Sequence, residues 1–103
     1  MLFRSRYEAF TPARADVARP LVATIVGKHC EQGDVVVRDA RLPADLAVGE
    51  VLVTPATGAY GHAMASNYNK VGRPPVVFLH EGAARAVVLR ETDEMLVMRD
   101  LEL

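Results

Sequence analysis

The sequence predicts a mainly β fold, a Greek-key-like β-barrel or sandwich with one or two short helices, and three observations carry that expectation. Apolar runs rich in β-branched residues recur at residues 21–26, 35–37, 51–54, 76–80 and 84–90, and each has the length of a strand. Gly and Pro punctuate the gaps between them, at Gly27, Gly33, Gly49, Pro55, Pro74 and Gly82. A Glu81-Gly82 pair between two of the runs is a hairpin signal. About five to seven short strands with few helices fit a closed or nearly closed barrel, or a sandwich.

Residues 2–10 alternate loosely between apolar and polar, which suits an edge strand with Phe3 and Tyr7 on one face. Pro12 and the residues around it break that strand. Residues 21–26 form the next one, which Gly27 ends or bulges. A short connection over residues 28–34 leads to a strand at 35–42, and residues 42–50 make a connection closed by a turn at Gly49. Residues 51–54 are a short buried strand, 55–61 a loop bracketed by Gly58 and Gly61, and 62–69 a helical turn. Residues 76–80 and 84–90 pair as a hairpin after the loop at 71–75. Thr92 then caps a last helix through residues 94–98, with Asp93 and Glu94 complementing its dipole.

A chain of 103 residues is expected to be a single domain over 1–103. Its charged residues, 24% of the total with a net charge of −1, make neither a basic stripe nor an acidic tail, which argues against a nucleic-acid partner. One cysteine can form no internal disulfide and gives too few ligands for a cysteine zinc site, which fits a reducing compartment and leaves no metal site predicted. No apolar run approaches the ~20 residues that span a bilayer, and residues 1–6 lack the apolar core of a signal peptide. The expected location is the cytoplasm, with no membrane partner.

Two stretches carry chemistry. Cys30 lies beside Glu31, with His29 before it and Gly33-Asp34 after, in a connection between strands. It is either a reactive thiol on a rigid scaffold or a small hydrophobe packed inside. Tyr60, between Gly58 and Gly61, either seats an anion with neighbouring amides or packs in an ordinary turn. His29 reads as a residue shaping its loop. His62 and His80 have no second ligand at metal spacing, and Met95 and Met98 read as packing residues.

The run Val26-Gly27-Lys28-His29-Cys30-Glu31-Gln32-Gly33-Asp34 is followed in order by Gly58-Ala59-Tyr60-Gly61, by Met64-Ala65-Ser66-Asn67-Tyr68-Asn69 and by Arg73-Pro74. Together these resemble the C-terminal domain of the diaminopimelate decarboxylase family, within the fold-type III pyridoxal-phosphate-dependent amino-acid decarboxylases. The resemblance runs over nearly the whole chain. It implies that Cys30 reaches across a homodimer interface as proton donor, that Glu31 binds the distal ammonium group of a small amino-acid substrate, and that Tyr60 touches both that substrate and the phosphate of pyridoxal 5'-phosphate.

The implied reaction converts meso-2,6-diaminopimelate to L-lysine and CO2. A thiol, with a reference pKa of ~8.5, carries its proton at neutral pH and can deliver it. Two positions depart from the family pattern: Gln32 replaces the usual serine, and Phe3 stands where a substrate-contacting tyrosine is common. The family's (β/α)8 barrel with its Schiff-base lysine has no counterpart in these residues, and neither Lys28 nor Lys70 matches that lysine. The 103-residue chain by itself is therefore expected to be inactive. A related decarboxylase acting on another diamino acid, or a β-barrel binding module without chemistry, are the alternatives.

Overall fold

The computed structural model describes residues 7–102, which form two compact units divided between His62 and Ala63. Strand β1 (Leu21–Val26) and strand β2 (Val35–Leu42) make the antiparallel ladder of the first unit. Both are runs of β-branched and small residues, and both match the expected bounds.

Strand β2 has eight residues against the six of β1. The surplus is absorbed where the register shifts, between Ala23 and Ile25 and again between Ile25 and Val26. At the first shift Asp39 takes φ 53, left-handed backbone typical of a bulge. The bulge decides what is inside. Strict alternation from Val37 would turn Asp39 and Arg41 inward, whereas the extra residue makes Val37, Ala40 and Leu42 the buried side chains. With Ala9 these form the core, and Tyr7, Ala23, Ile25, Leu46 and Leu52 pack against it.

Around that core the chain is held by local pairing. Phe10 N donates to Val53 O at 3.0 Å and Val53 N to Phe10 O at 2.9 Å, the one bridge that realises the expected strands at 2–10 and 51–54 within the described residues. Pro12 and Pro55 limit it on either side, because neither has an N–H for a ladder. Phe3 lies outside the described residues. A 3-10 turn at Pro12–Arg14 then presents Arg14 to Glu50 through Nε at 2.9 Å and Nη2 at 2.8 Å, and to Asp45 at 2.6 Å. Helix α1 (Gly58–Ala63) ends this part of the chain.

In the second unit a 3-10 turn at Tyr68–Lys70 precedes the hairpin of β3 (Val76–His80) and β4 (Ala83–Val88). Glu81 and Gly82 join them with φ 48 and 76, the two positive values a type I′ turn requires. Continuing the register of Val76 opposite Val88 outward brings Arg73 opposite Glu91. Glu91 N donates to Arg73 O at 3.1 Å, Arg73 N to Glu91 Oε2 at 2.7 Å and Arg73 Nε to Glu91 Oε1 at 2.8 Å. Helix α2 (Asp93–Val97) follows, capped by Thr92, whose Oγ1 accepts from Met95 N at 3.3 Å.

The sheet-rich class with short helices stands, but the strands pair as two separate two-stranded sheets and no closed barrel is formed among the described residues. Among the described residues each of the four strands keeps one unpaired edge. None of the described residues of the second unit is buried, and Phe78, Leu79, Leu89 and Met98 are all exposed, Leu79 to 80%. The core of Ala9, Val37, Ala40 and Leu42 is small for the chain's apolar content.

Leu42 is 2% exposed, so Leu42→Ala should lower unfolding free energy by ~2–5 kcal/mol, read from the urea midpoint. The Arg73 guanidinium and backbone N–H hold the Glu91 carboxyl at about 2, well below the ordinary 4.5. That depressed value means the brace contributes its full stability above pH 4.5 and loses it as pH falls through about 2. A carboxyl chemical-shift titration should place the Glu91 midpoint near the lower figure, and a midpoint near 4.5 would contradict the brace.

Candidate functional site

The connection between β1 and β2 is a built loop. Gly27 N donates to Asp34 O at 2.8 Å, which extends the ladder one pair beyond Val26 and Val35. Asp34 N donates to Glu31 O at 3.0 Å, closing a β-turn with Gln32 and Gly33 at its centre. The Asp34 carboxylate then reaches back: Oδ2 accepts from His29 N at 3.0 Å and lies 2.9 Å from His29 Nδ1. That carboxylate occupies the space a side chain at residue 27 would need, since a Cβ built on Gly27 would overlap it.

Cys30 sits between these bonds with φ 54, exposed to solvent. The alternative of a cysteine packed as a small hydrophobe is excluded for the described chain. Glu31 is also exposed, and its Oε2 accepts from Gly33 N at 2.6 Å. A Cβ at Gly33 would lie 2.6 Å from Glu31 Oε2 and would displace the end of that side chain.

Tyr60 is placed differently from the expectation. Residues 55–61 were expected as a loop before a helical turn at 62–69, whereas the helix begins at Gly58 and Tyr60 lies within it. Thr57 explains the earlier start: its Oγ1 donates to Thr54 O at 3.2 Å and its carbonyl accepts from Gly61 N at 2.8 Å, so the turn is already wound. The Tyr60 side chain is 54% exposed. Cys30 and Glu31 are brought together by one loop, and Tyr60 stands on a separate element of the same unit, with no hydrogen bond to that loop among the described residues.

The backbone N–H of His29, and then its ring, hold the Asp34 carboxyl below the ordinary carboxylate range. A cleft of about 830 Å³ opens beside the β2 bulge and includes Tyr7, Arg19, Arg38 and Arg41, but none of Cys30, Glu31 or Tyr60. Cys30, Glu31 and Tyr60 are each exposed, and none of them lines that cleft. Among the described residues no group of three or more His, Cys, Asp and Glu side chains is placed to hold a metal.

Sequence reasoning read His29 as a loop-shaping residue and Asp34 as a turn signal, and missed that the two are bonded across Cys30. Their five-residue separation on either side of a Gly-containing turn was the available sign. Glu91 was missed as well, though the hairpin register points at it.

Residues 1–58 match the family described as pyridoxal-dependent decarboxylase, C-terminal sheet domain. A diaminopimelate decarboxylase of Actinosynnema pretiosum subsp. auranticum is 50% identical over 100 residues, 97% of this chain and 22% of that protein. The crystal structure of diaminopimelate decarboxylase from M. jannaschii superposes with a TM-score of 0.80 at 31% identity, over 99% of this chain and 23% of that one. A structure of that enzyme in co-complex with L-lysine matches 81% of this chain and 19% of its own, with a TM-score of 0.73 and 38% identity. The chain therefore spans about a fifth of the length of the curated relatives it matches.

Because the Asp34 carboxyl is held below its ordinary 3.8, the loop keeps this contribution above that pH and loses it as pH falls through the lower, folded value. NMR titration should show the Asp34 carboxyl and the His29 amide shifting together at a midpoint below 3.8, and Asp34→Asn should abolish that transition. An Asp34 midpoint at the ordinary value would contradict the bond.

Proposed function

Since the chain belongs to the pyridoxal-dependent decarboxylase family through its C-terminal sheet domain, we propose that it is the C-terminal part of a diaminopimelate decarboxylase, in which Cys30, Glu31 and Tyr60 supply one edge of the active site. The observation that carries the reading is the exposed Cys30-Glu31 pair on a braced loop, in a chain that matches these enzymes along almost its entire length.

The donor set suits one side of a pyridoxal phosphate site. A phenol hydroxyl at Tyr60 can donate to a phosphate oxygen, a thiol at Cys30 can give a proton, and a carboxylate at Glu31 can hold an ammonium group. Neither lysine suits the covalent anchor: Lys70 Nζ donates to Leu96 O at 3.1 Å, and Lys28 does not line the cleft beside the β2 bulge. The anchor is assigned to the remainder of a longer polypeptide. A homodimer with the site at its interface is supported by the exposure of all three residues and by the uncovered apolar side chains of both units. The cytoplasm is the proposed location, consistent with an exposed thiol left unpaired.

When bound, pyridoxal phosphate supplies the electron sink for decarboxylation. Glu31 accepts the ammonium group at the end of the substrate remote from the reacting carbon, which fixes which carboxylate leaves. The C–C bond to that carboxylate breaks and CO2 departs, its bonding pair remaining at the carbon. Cys30 Sγ–H gives its proton to form the new C–H bond, and the thiolate regains a proton from water. With diaminopimelate as substrate the product is lysine, the molecule bound in the M. jannaschii co-complex.

In the full-length enzyme, Cys30→Ala should lower kcat by about 10²–10⁴-fold while cofactor absorbance is retained. Glu31→Gln should raise KM for diaminopimelate by about tenfold or more with a smaller change for substrates lacking the distal amine. Unchanged turnover in Cys30→Ala would refute the proton-donor role.

A further inference from the structure

We propose that Asp34, His29 and Gly27 form a brace that holds the Cys30 backbone in its left-handed conformation and so aims the thiol, making Asp34 and His29 positioning residues for the protonation step. The inference rests on the reading of Cys30 as proton donor.

The peptide units one residue further out on either side of Cys30, Lys28–His29 and Glu31–Gln32, are tied to the same residue. On one side His29 N donates to Asp34 Oδ2 at 3.0 Å, and on the other Glu31 O accepts from Asp34 N at 3.0 Å. These two ties close over His29, Cys30 and Glu31 and so hold the segment in which Cys30 takes φ 54. The His29 ring, 2.9 Å from the same Oδ2, prevents the carboxylate from swinging out. Gly27 keeps open the space in which that carboxylate lies.

A loop that served only to join β1 to β2 would need none of this. Glycine adopts left-handed backbone without strain, yet the chain puts its one cysteine at that position and adds side-chain bonds to keep it there. Return to an extended backbone would turn the Cα–Cβ bond of Cys30 in another direction and carry Sγ with it. Proton transfer to carbon needs the donor within contact distance of the acceptor, so a displacement of about 1 Å is enough to cost on the order of 10²-fold in rate.

The test uses the full-length holoenzyme in D2O, with diaminopimelate as substrate and the variants Asp34→Ala, Asp34→Asn, Gly27→Ala and Cys30→Ala. Four quantities are read: kcat, KM, bound pyridoxal phosphate by absorbance, and the configuration of the deuterium introduced at the carbon that loses CO2. Asp34→Ala and Gly27→Ala should lower kcat by about tenfold or more with KM within about twofold and cofactor retained. Both should also let deuterium enter in both configurations, since solvent then competes with the thiol. Asp34→Asn, which keeps an acceptor oxygen in place, should recover most of the rate and the single configuration.

Loss of folded protein would lower the amount of active enzyme without scrambling the product of the molecules that remain. If Asp34→Ala yields no holoenzyme, Gly27→Ala decides, because it displaces the carboxylate without removing it. Parental rate and configuration in Gly27→Ala and Asp34→Ala, beside a defective Cys30→Ala, would overturn the brace alone. Parental behaviour of Cys30→Ala itself would overturn the proton-donor reading and the brace with it.

Discussion

The ladder between β1 and β2 is the constraint from which the rest of the first unit follows. Its inner face supplies Val37, Ala40 and Leu42 to the core, and its end pair, Gly27 and Asp34, launches the loop that carries Cys30 and Glu31. The surplus residues of β2 are accommodated by bulges that keep Asp39 and Arg41 out of the core. Core and candidate site are thus built on one pair of strands, and disturbance of the register would reach both.

Much of this was legible in the sequence because local chemistry and final structure agree. The strands at 21–26, 35–42 and 76–80, the Glu81-Gly82 turn and the Thr92 cap were all placed from β-branched runs and turn residues. The order of motifs around Cys30 and Tyr60 pointed to the decarboxylase family, to which the match of residues 1–58 assigns the chain. What escaped depends on contacts at a distance or on choices the pattern leaves open. A bulge at Asp39 is invisible in a run that alternates imperfectly, and the early start of α1 depends on Thr57 bonding back to Thr54. The bonds of Asp34 to His29 and of Arg73 to Glu91 lie just beyond the strand ends and emerge once the adjoining strands are paired. Strand number pointed to a barrel or a sandwich without deciding between them, and among the described residues each ladder stops at two strands.

The distribution of apolar surface fits a chain that completes its fold in a larger body. A small core supports the first unit, and the hairpin of β3 and β4 leaves Phe78, Leu79 and Leu89 in solvent. The chemistry is divided in the same way. A thiol, a carboxylate and a phenol stand exposed and outside the cleft beside the β2 bulge, as the proposal that they supply one edge of a shared site requires.

Complementation between two inactive forms of the full-length enzyme tests this division most directly. One form carries Cys30→Ala, the other a substitution of the Schiff-base lysine in the remainder of the polypeptide, and the two are co-expressed and assayed for CO2 release from diaminopimelate. Recovery of activity in the mixed dimers, with neither form active alone, is the result that a thiol reaching across the interface predicts. Mixed dimers as inactive as their parents would contradict it.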